Sequence, residues 1–160
     1  MVITREIAIH PTKGIVIRYN GVFDIDSLYK DAKSWFKTHN YDYFEKENTE
    51  KTKPQGNTLI IKMRAKREID DYVQFRLEVD FEEILRVRKV EKGHSGEARI
   101  IIRGFIDLDY HNNWKALPFL FYLYNNIILK KKVLEYYWPK IYGEMMEVNS
   151  LIKTKLGLIR

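Results

Sequence analysis

The stretch that most constrains this chain is its last third, Trp114 to Leu156, where apolar residues recur at helical spacing. Leu120, Leu123, Ile127, Leu134, Trp138, Ile141, Met145, Val148, Ile152 and Leu156 follow one another at steps of three or four, with one step of seven across Lys130-Lys131-Lys132. That spacing turns one face of an α-helix toward an apolar surface. A helix over this whole stretch would be roughly 60 Å long. A compact chain of this length has a radius of gyration of only about 15 Å. Pro139 lies inside the stretch, and proline removes a helical N–H and crowds the preceding turn. The spacing therefore predicts a helix broken or kinked near Pro139, the alternative being one end that projects and finds a partner. Pro118 suits the start, and Gly157 after Lys153 and Lys155 suits the stop.

The remainder reads mostly as strands. Ile3, Ile7 and Ile9, then Ile15, Ile17 and Tyr19, alternate on either side of Pro11-Thr12-Lys13-Gly14, which predicts an opening β-hairpin. Asp24 or Asp26 can cap a helix whose inward positions are Leu28, Ala32, Trp35 and Phe36, ending near His39-Asn40. A short strand at Tyr41–Glu45 and an exposed loop at Asn48–Gly56 follow. Leu59, Ile61, Met63 and Ala65 then alternate with polar neighbours, as do Val73, Phe75, Leu77, Val79 and Phe81. Pairing these runs so that residue numbers sum to 142 sets Arg64 against Glu78 and Lys62 against Asp80. A sum of 140 sets Arg64 against Arg76, so the first register is expected. Two more strands, Ile84–Val90 and Ala98–Tyr110, are joined by a turn at Gly93-His94-Ser95-Gly96. The expected fold is α+β in a single domain spanning residues 1–160: an antiparallel sheet of about seven strands, one short helix, and the long C-terminal helix packed on the sheet's apolar face.

In element order, residues 15–157 resemble the helix-grip fold of START and Bet v1-like proteins. That resemblance implies a cavity for apolar ligands between sheet and helix. Phe75, Leu77 and Ile102 from the sheet, with Leu120, Leu123, Ile127, Tyr137 and Ile141 from the helix, would line it. The leading expectation is a non-enzymatic binding module for an apolar or aromatic small molecule.

Charge points elsewhere. Residues 1–110 contain 20 Lys/Arg and 19 Asp/Glu, whereas residues 111–160 contain 8 and 3, so +5 of the net +6 lies in the helical region. Lys130, Lys131 and Lys132 span most of one turn and cannot all be buried. Beside them stand Phe119, Phe121, Tyr122, Tyr136, Tyr137 and Trp138. This basic, aromatic region supports a second expectation, an anion-binding surface for an anionic membrane or a protein partner. Self-association through the helix is open, and nucleic acid fits less well because the sheet arginines are interleaved with carboxylates.

Chemistry has little to stand on. There are no cysteines, which excludes disulfides, thiolate catalysis and cysteine-based metal sites. Asp107, Asp109 and His111 would share one strand face and form the one constellation suited to metal or acid–base work. No phosphate loop, G-x-S-x-G elbow or H-E-x-x-H motif occurs, and no cofactor or resident metal is expected. The N-terminus meets charge at Arg5 and Glu6, and no apolar run is long enough to span a bilayer, so a cytoplasmic location is expected.

Overall fold

The computed structural model describes residues 2–159. Its strands are β1 (Glu6–Ala8), β2 (Ile15–Phe23), β3 (Asp42–Lys53), β4 (Gly56–Glu68), β5 (Val73–Val90) and β6 (Gly93–Leu108), with helix α1 (Ile25–Thr38) between β2 and β3. A helix closes the chain from Pro118 to Lys155. The α+β class and the antiparallel sheet agree with the sequence, but the sheet has six strands.

The differences have physical causes. β1 and β2 do not form a hairpin: both pair antiparallel with β6, Ile7 opposite Ile106 and Ile17 opposite Ile100. They lie end to end along one edge, and the chain steps out between them through Pro11–Gly14. The runs expected as Val73–Glu82 and Ile84–Val90 are one strand, because register shifts at Phe81/Glu83 and Arg86/Arg88 restore the pairing with β6. A bulge adds a residue and flips the alternation without ending a strand. Asn48–Lys53 is not a loop but the second half of β3, the sheet's other edge. Its charged residues suit an edge exposed to water. Gly93–Gly96 likewise pairs within β6, with Val90 opposite Gly93.

The predicted register is found: Lys62 faces Asp80 and Arg64 faces Glu78. Asp80, nearly buried, receives Arg64 Nη1 at 2.5 Å and Arg103 Nη1 at 2.7 Å. Arg76 reaches Glu78 at 2.5 Å and Asp107 at 3.0 Å. This charged belt forms the outer face. Met63, Ala65, Phe75, Leu77, Val79, Ile100, Ile102 and Ile106 form the inner face and are fully buried. Helix α1 starts as expected, with Asp24 Oδ1 accepting the Ser27 N–H at 3.1 Å, and buries Leu28, Ala32 and Phe36.

The closing helix does not break at Pro139. It alternates α-helical turns (Pro118–Leu123, Lys130–Lys132, Trp138–Lys155) with π-helical turns (Tyr124–Leu129, Val133–Tyr137). The second π segment ends at Tyr137, two residues before Pro139, and the Trp138 N–H bonds the Val133 carbonyl. A widened turn gives the proline ring room that a regular α-turn lacks. Downstream the stripe is as expected: Ile141, Met145, Val148, Ile152 and Leu156 are buried. Gly157, at φ 73°, ends the helix while the Leu158 N–H bonds the Lys153 carbonyl at 2.8 Å. Upstream the stripe moves. Phe121, Asn125, Leu129, Val133 and Tyr137 are buried, whereas Leu120, Ile127 and Leu134 are exposed.

A polar clamp fixes the helix to the sheet. Glu144 accepts the Tyr41 hydroxyl at 2.5 Å and Arg67 Nη2 at 2.6 Å, and Arg67 Nη1 also bonds the His39 carbonyl at 2.9 Å. Burial, then the Glu144 charge, pushes the Tyr41 phenol far above its ordinary range. Removing one member of such a trio leaves a buried charge without a partner. Glu144→Ala is expected to cost about 3 kcal/mol, and Glu144→Gln less, because the amide oxygen still accepts. Urea unfolding with an unchanged slope checks this.

Candidate interaction surface on the closing helix

The residues expected to line an internal pocket divide into two groups. Phe75, Leu77, Ile102, Tyr137 and Ile141 are buried in the continuous core. Phe75 and Tyr137 meet edge to face with ring centroids 6.2 Å apart. Leu120 and Ile127 stand on the outside of the helix, and Leu123 is half-buried.

What holds the first half of the helix in place is largely polar. Asn125, fully buried, accepts the Tyr72 hydroxyl at 2.9 Å and donates to the Phe121 carbonyl at 2.7 Å. Asn126 Oδ1 accepts the Ile3 N–H at 2.9 Å. Arg5 lies over the Phe121 ring, 4.6 Å from its centroid. Trp114 stacks on Tyr124 at 5.6 Å, and Tyr124 meets Tyr72 edge to face. These contacts use one side of the helix, toward the chain start and the β4–β5 turn.

The other side is bare and apolar. Phe119, Ile127 and Ile128 are 69, 71 and 68 % exposed, with Leu117, Leu120, Tyr122, Leu134 and Tyr136 also outside. A few exposed apolar residues are ordinary, but a group this size on one element makes this side the candidate contact surface. Between Trp114 and Lys140 the charged residues are Lys115, Lys130, Lys131, Lys132, Lys140 and a single carboxylate, Glu135. Five positive charges against one leave this segment at +4.

The three central lysines are not equivalent. Lys132 turns back toward the body, its Nζ 5.1 Å from the Tyr137 ring centroid, and the Tyr137 hydroxyl donates to Asp70 at 2.9 Å. The Tyr137 hydroxyl, then its charge, raises Lys132, while burial is the main cause that raises Tyr137. Burial pushes Asp70 up, but the Tyr72 and Val73 N–H groups, Tyr137 and Lys132 outweigh it and hold the carboxylate down. Among the described residues Lys130 and Lys131 make no ion pair. They are the free part of the cluster.

Asp107, Asp109 and His111 do not converge. β6 ends at Leu108, and Asp109 adopts φ 51°, so the expected alternation fails there. Asp107 accepts from Arg76 on the outer face. Asp109, buried, accepts Arg5 Nη1 at 2.6 Å and the Asn113 and Trp114 N–H groups at 2.8 and 3.1 Å. It organises the turn that delivers Trp114 to the helix. His111 is exposed beside the Tyr110 ring. Among the described residues no group of three or more His, Asp or Glu side chains is placed to hold a metal ion.

Comparison with protein-family models, with curated proteins and with solved structures gives no match. Among the described residues no helix is long and apolar enough to cross a membrane.

The anchoring of this surface is sensitive to base. Burial pushes the Tyr72 phenol up to about 12. Its unfolded value is near 10, so between these values the unfolded chain releases a proton that the folded one keeps. Stability is therefore full below pH about 10 and falls as pH rises toward 12. Tyr72→Phe is expected to flatten that part of the stability–pH curve, measured by urea unfolding at stepped pH.

Proposed function

We propose that this protein is a non-enzymatic interaction module that docks on an anionic membrane surface through the outward side of its closing helix. The observation that carries this reading is the exposed group Phe119, Ile127 and Ile128 beside Lys130 and Lys131, which make no ion pair among the described residues. Apolar side chains of this size each gain about 1.5–3 kcal/mol on leaving water. Each lysine near an anionic leaflet adds about 1 kcal/mol. An amphipathic helix with both features lies in the interface plane rather than across it.

Charge favours a membrane over a second copy. A twofold contact is self-complementary, so it would bring the same segment, at +4, against itself. An anionic leaflet meets that charge favourably. The small-molecule reading has less support, because five of the eight residues it needs are packed in the core.

Flotation with phosphatidylglycerol-containing vesicles tests the proposal. The full chain is expected to bind at low salt, and binding is expected to weaken as salt rises. Lys130→Glu with Lys131→Glu is expected to abolish it. Ile127→Asp with Ile128→Asp should do the same without lowering thermal stability, since these side chains are exposed. Binding equal on neutral vesicles, or unchanged in both double variants, overturns the reading. A concentration-dependent dimer lost with Ile127→Asp would assign the surface to a second copy instead.

A further inference from the structure

A second feature lies on the opposite face of the sheet. Register shifts occur side by side in three neighbouring strand pairs, at Glu45/Glu47, Leu59/Ile61 and Phe81/Glu83, the extra residues lying in β3 and β5. Bulges bend strands, and beyond this line the outer face is hollow. The hollow has a volume of about 790 Å³, within the range of small-molecule sites. Its floor is Thr58, Leu85, Glu97 and Arg99, with Arg18 and Asn20 of β2 on one side and Lys53 and Gln55 of the β3–β4 turn on the other.

Its charges are arranged differently from the rest of this face. Nearer the β4–β5 turn, Arg64, Arg76 and Arg103 are each taken by a carboxylate of the belt. At the hollow, Arg18, Lys53, Glu83 and Glu97 have no ion-pair partner among the described residues. Arg18 stands directly opposite Arg99 in the ladder. Like charges directly opposite destabilise a strand pair. Glu82 relieves Arg99 at 2.5 Å, but among the described residues no carboxylate pairs with Arg18. An anionic group between the two guanidinium groups would relieve both, and arginine is suited to paired contacts with carboxylate or phosphate. In the ladder Glu83 stands opposite Arg99, and Glu97 opposite Asn20 and Leu85. These carboxylates accept hydrogen bonds from hydroxyl or amino groups.

We propose that this outer hollow binds a small organic anion whose body carries hydroxyl or amino groups. Arg18 and Arg99 take the anionic end, Glu83 and Glu97 accept from the body, and Leu85 lies under its carbon skeleton. Sugar phosphates and amino acids share this chemistry. The site is separate from the helix surface, since none of its lining residues belongs to the closing helix.

Backbone amide NMR titration of the full chain tests it, with glucose 6-phosphate and L-glutamine as separate probes up to about 10 mM. Inorganic phosphate and glucose are the controls. One probe is expected to move the amides of residues 18–20, 58, 83–85 and 97–99 together. Glucose 6-phosphate alone identifies the sugar-phosphate source, and glutamine alone the amino-acid source. Arg18→Ala is expected to weaken that binding at least about tenfold. Because Arg18 is exposed and unpaired, the variant should fold as the parent does, which its amide spectrum reports directly. Glu97→Gln provides a second reading, weakening the probe but leaving inorganic phosphate unaffected. The vesicle-binding variants at Ile127, Ile128, Lys130 and Lys131 should titrate normally, so failure of either proposal is separable from the other. No shift with either probe overturns the inference. So do shifts scattered over the surface, shifts that inorganic phosphate reproduces in full, or an affinity that Arg18→Ala leaves unchanged.

Discussion

The closing helix stays against the rest of the protein because its buried line repeats every four residues. Phe121, Asn125, Leu129, Val133, Tyr137, Ile141 and Met145 are all buried. In a regular α-helix four residues turn about 400°, so each step would carry the line about 40° further round. Six such steps would turn it away from the sheet. The π-helical turns at Tyr124–Leu129 and Val133–Tyr137 are wider, and their mixture with α-turns holds the line on one side. From Trp138 onward the helix is regular, and the buried steps become three and four. One geometric device thus sets the helix's inward side, gives Pro139 its place, and decides which apolar residues remain outside.

The sheet depends in the same way on β6, which pairs with β1, β2 and β5. Its inner side, including Gly104, lies under the closing helix. A Cβ at Gly104 would stand 3.2 Å from Met145 Sδ, so the residue leaves room for the helix. Its outer side contributes Arg99 and Arg103 to the charged face. Asp80, on β5, ties together the strands on either side of it, since Arg64 comes from β4 and Arg103 from β6. A carboxylate this buried is sustainable because two guanidinium groups surround it. The outer face is therefore self-neutralised around Asp80, whereas at the hollow Arg18, Lys53, Glu83 and Glu97 make no ion pair among the described residues.

The sequence made legible whatever follows a regular period. The register of β4 with β5 was readable from Arg64, Glu78, Lys62 and Asp80, and the cap at Asp24 from its side chain. Two-residue alternation cannot show that a strand continues through a bulge, so β5 read as two strands. The polarity of Asn48–Lys53 read as a loop, although an edge strand is polar for the same reason. The β1–β2 hairpin failed because alternation and a turn do not say which strand each arm pairs with. The four-residue line at Phe121, Leu129, Val133 and Tyr137 was present, but Asn125 interrupts its polarity and a 3.6-residue period favours Leu120, Leu123 and Ile127. The charge excess of the last third was fully legible. Which lysine is tied back was not, because Asp70 and Tyr137 meet only in the fold.

A helix apolar on one side needs one covering surface, and a helix apolar on most sides needs more than one. The first half of the closing helix is of the second kind. Read at a regular period, it offers Leu120, Leu123 and Ile127 as a core face; as folded, it buries Phe121, Leu129 and Val133 instead. The chain therefore supplies two apolar faces over the same turns, and the sheet and chain start cover only one. Polar residues on the uncovered side would keep the fold as it is, since Phe119, Ile127 and Ile128 add little to the core. Phe119, Ile127 and Ile128 are instead left in water there, with Lys130 and Lys131 beside the last two.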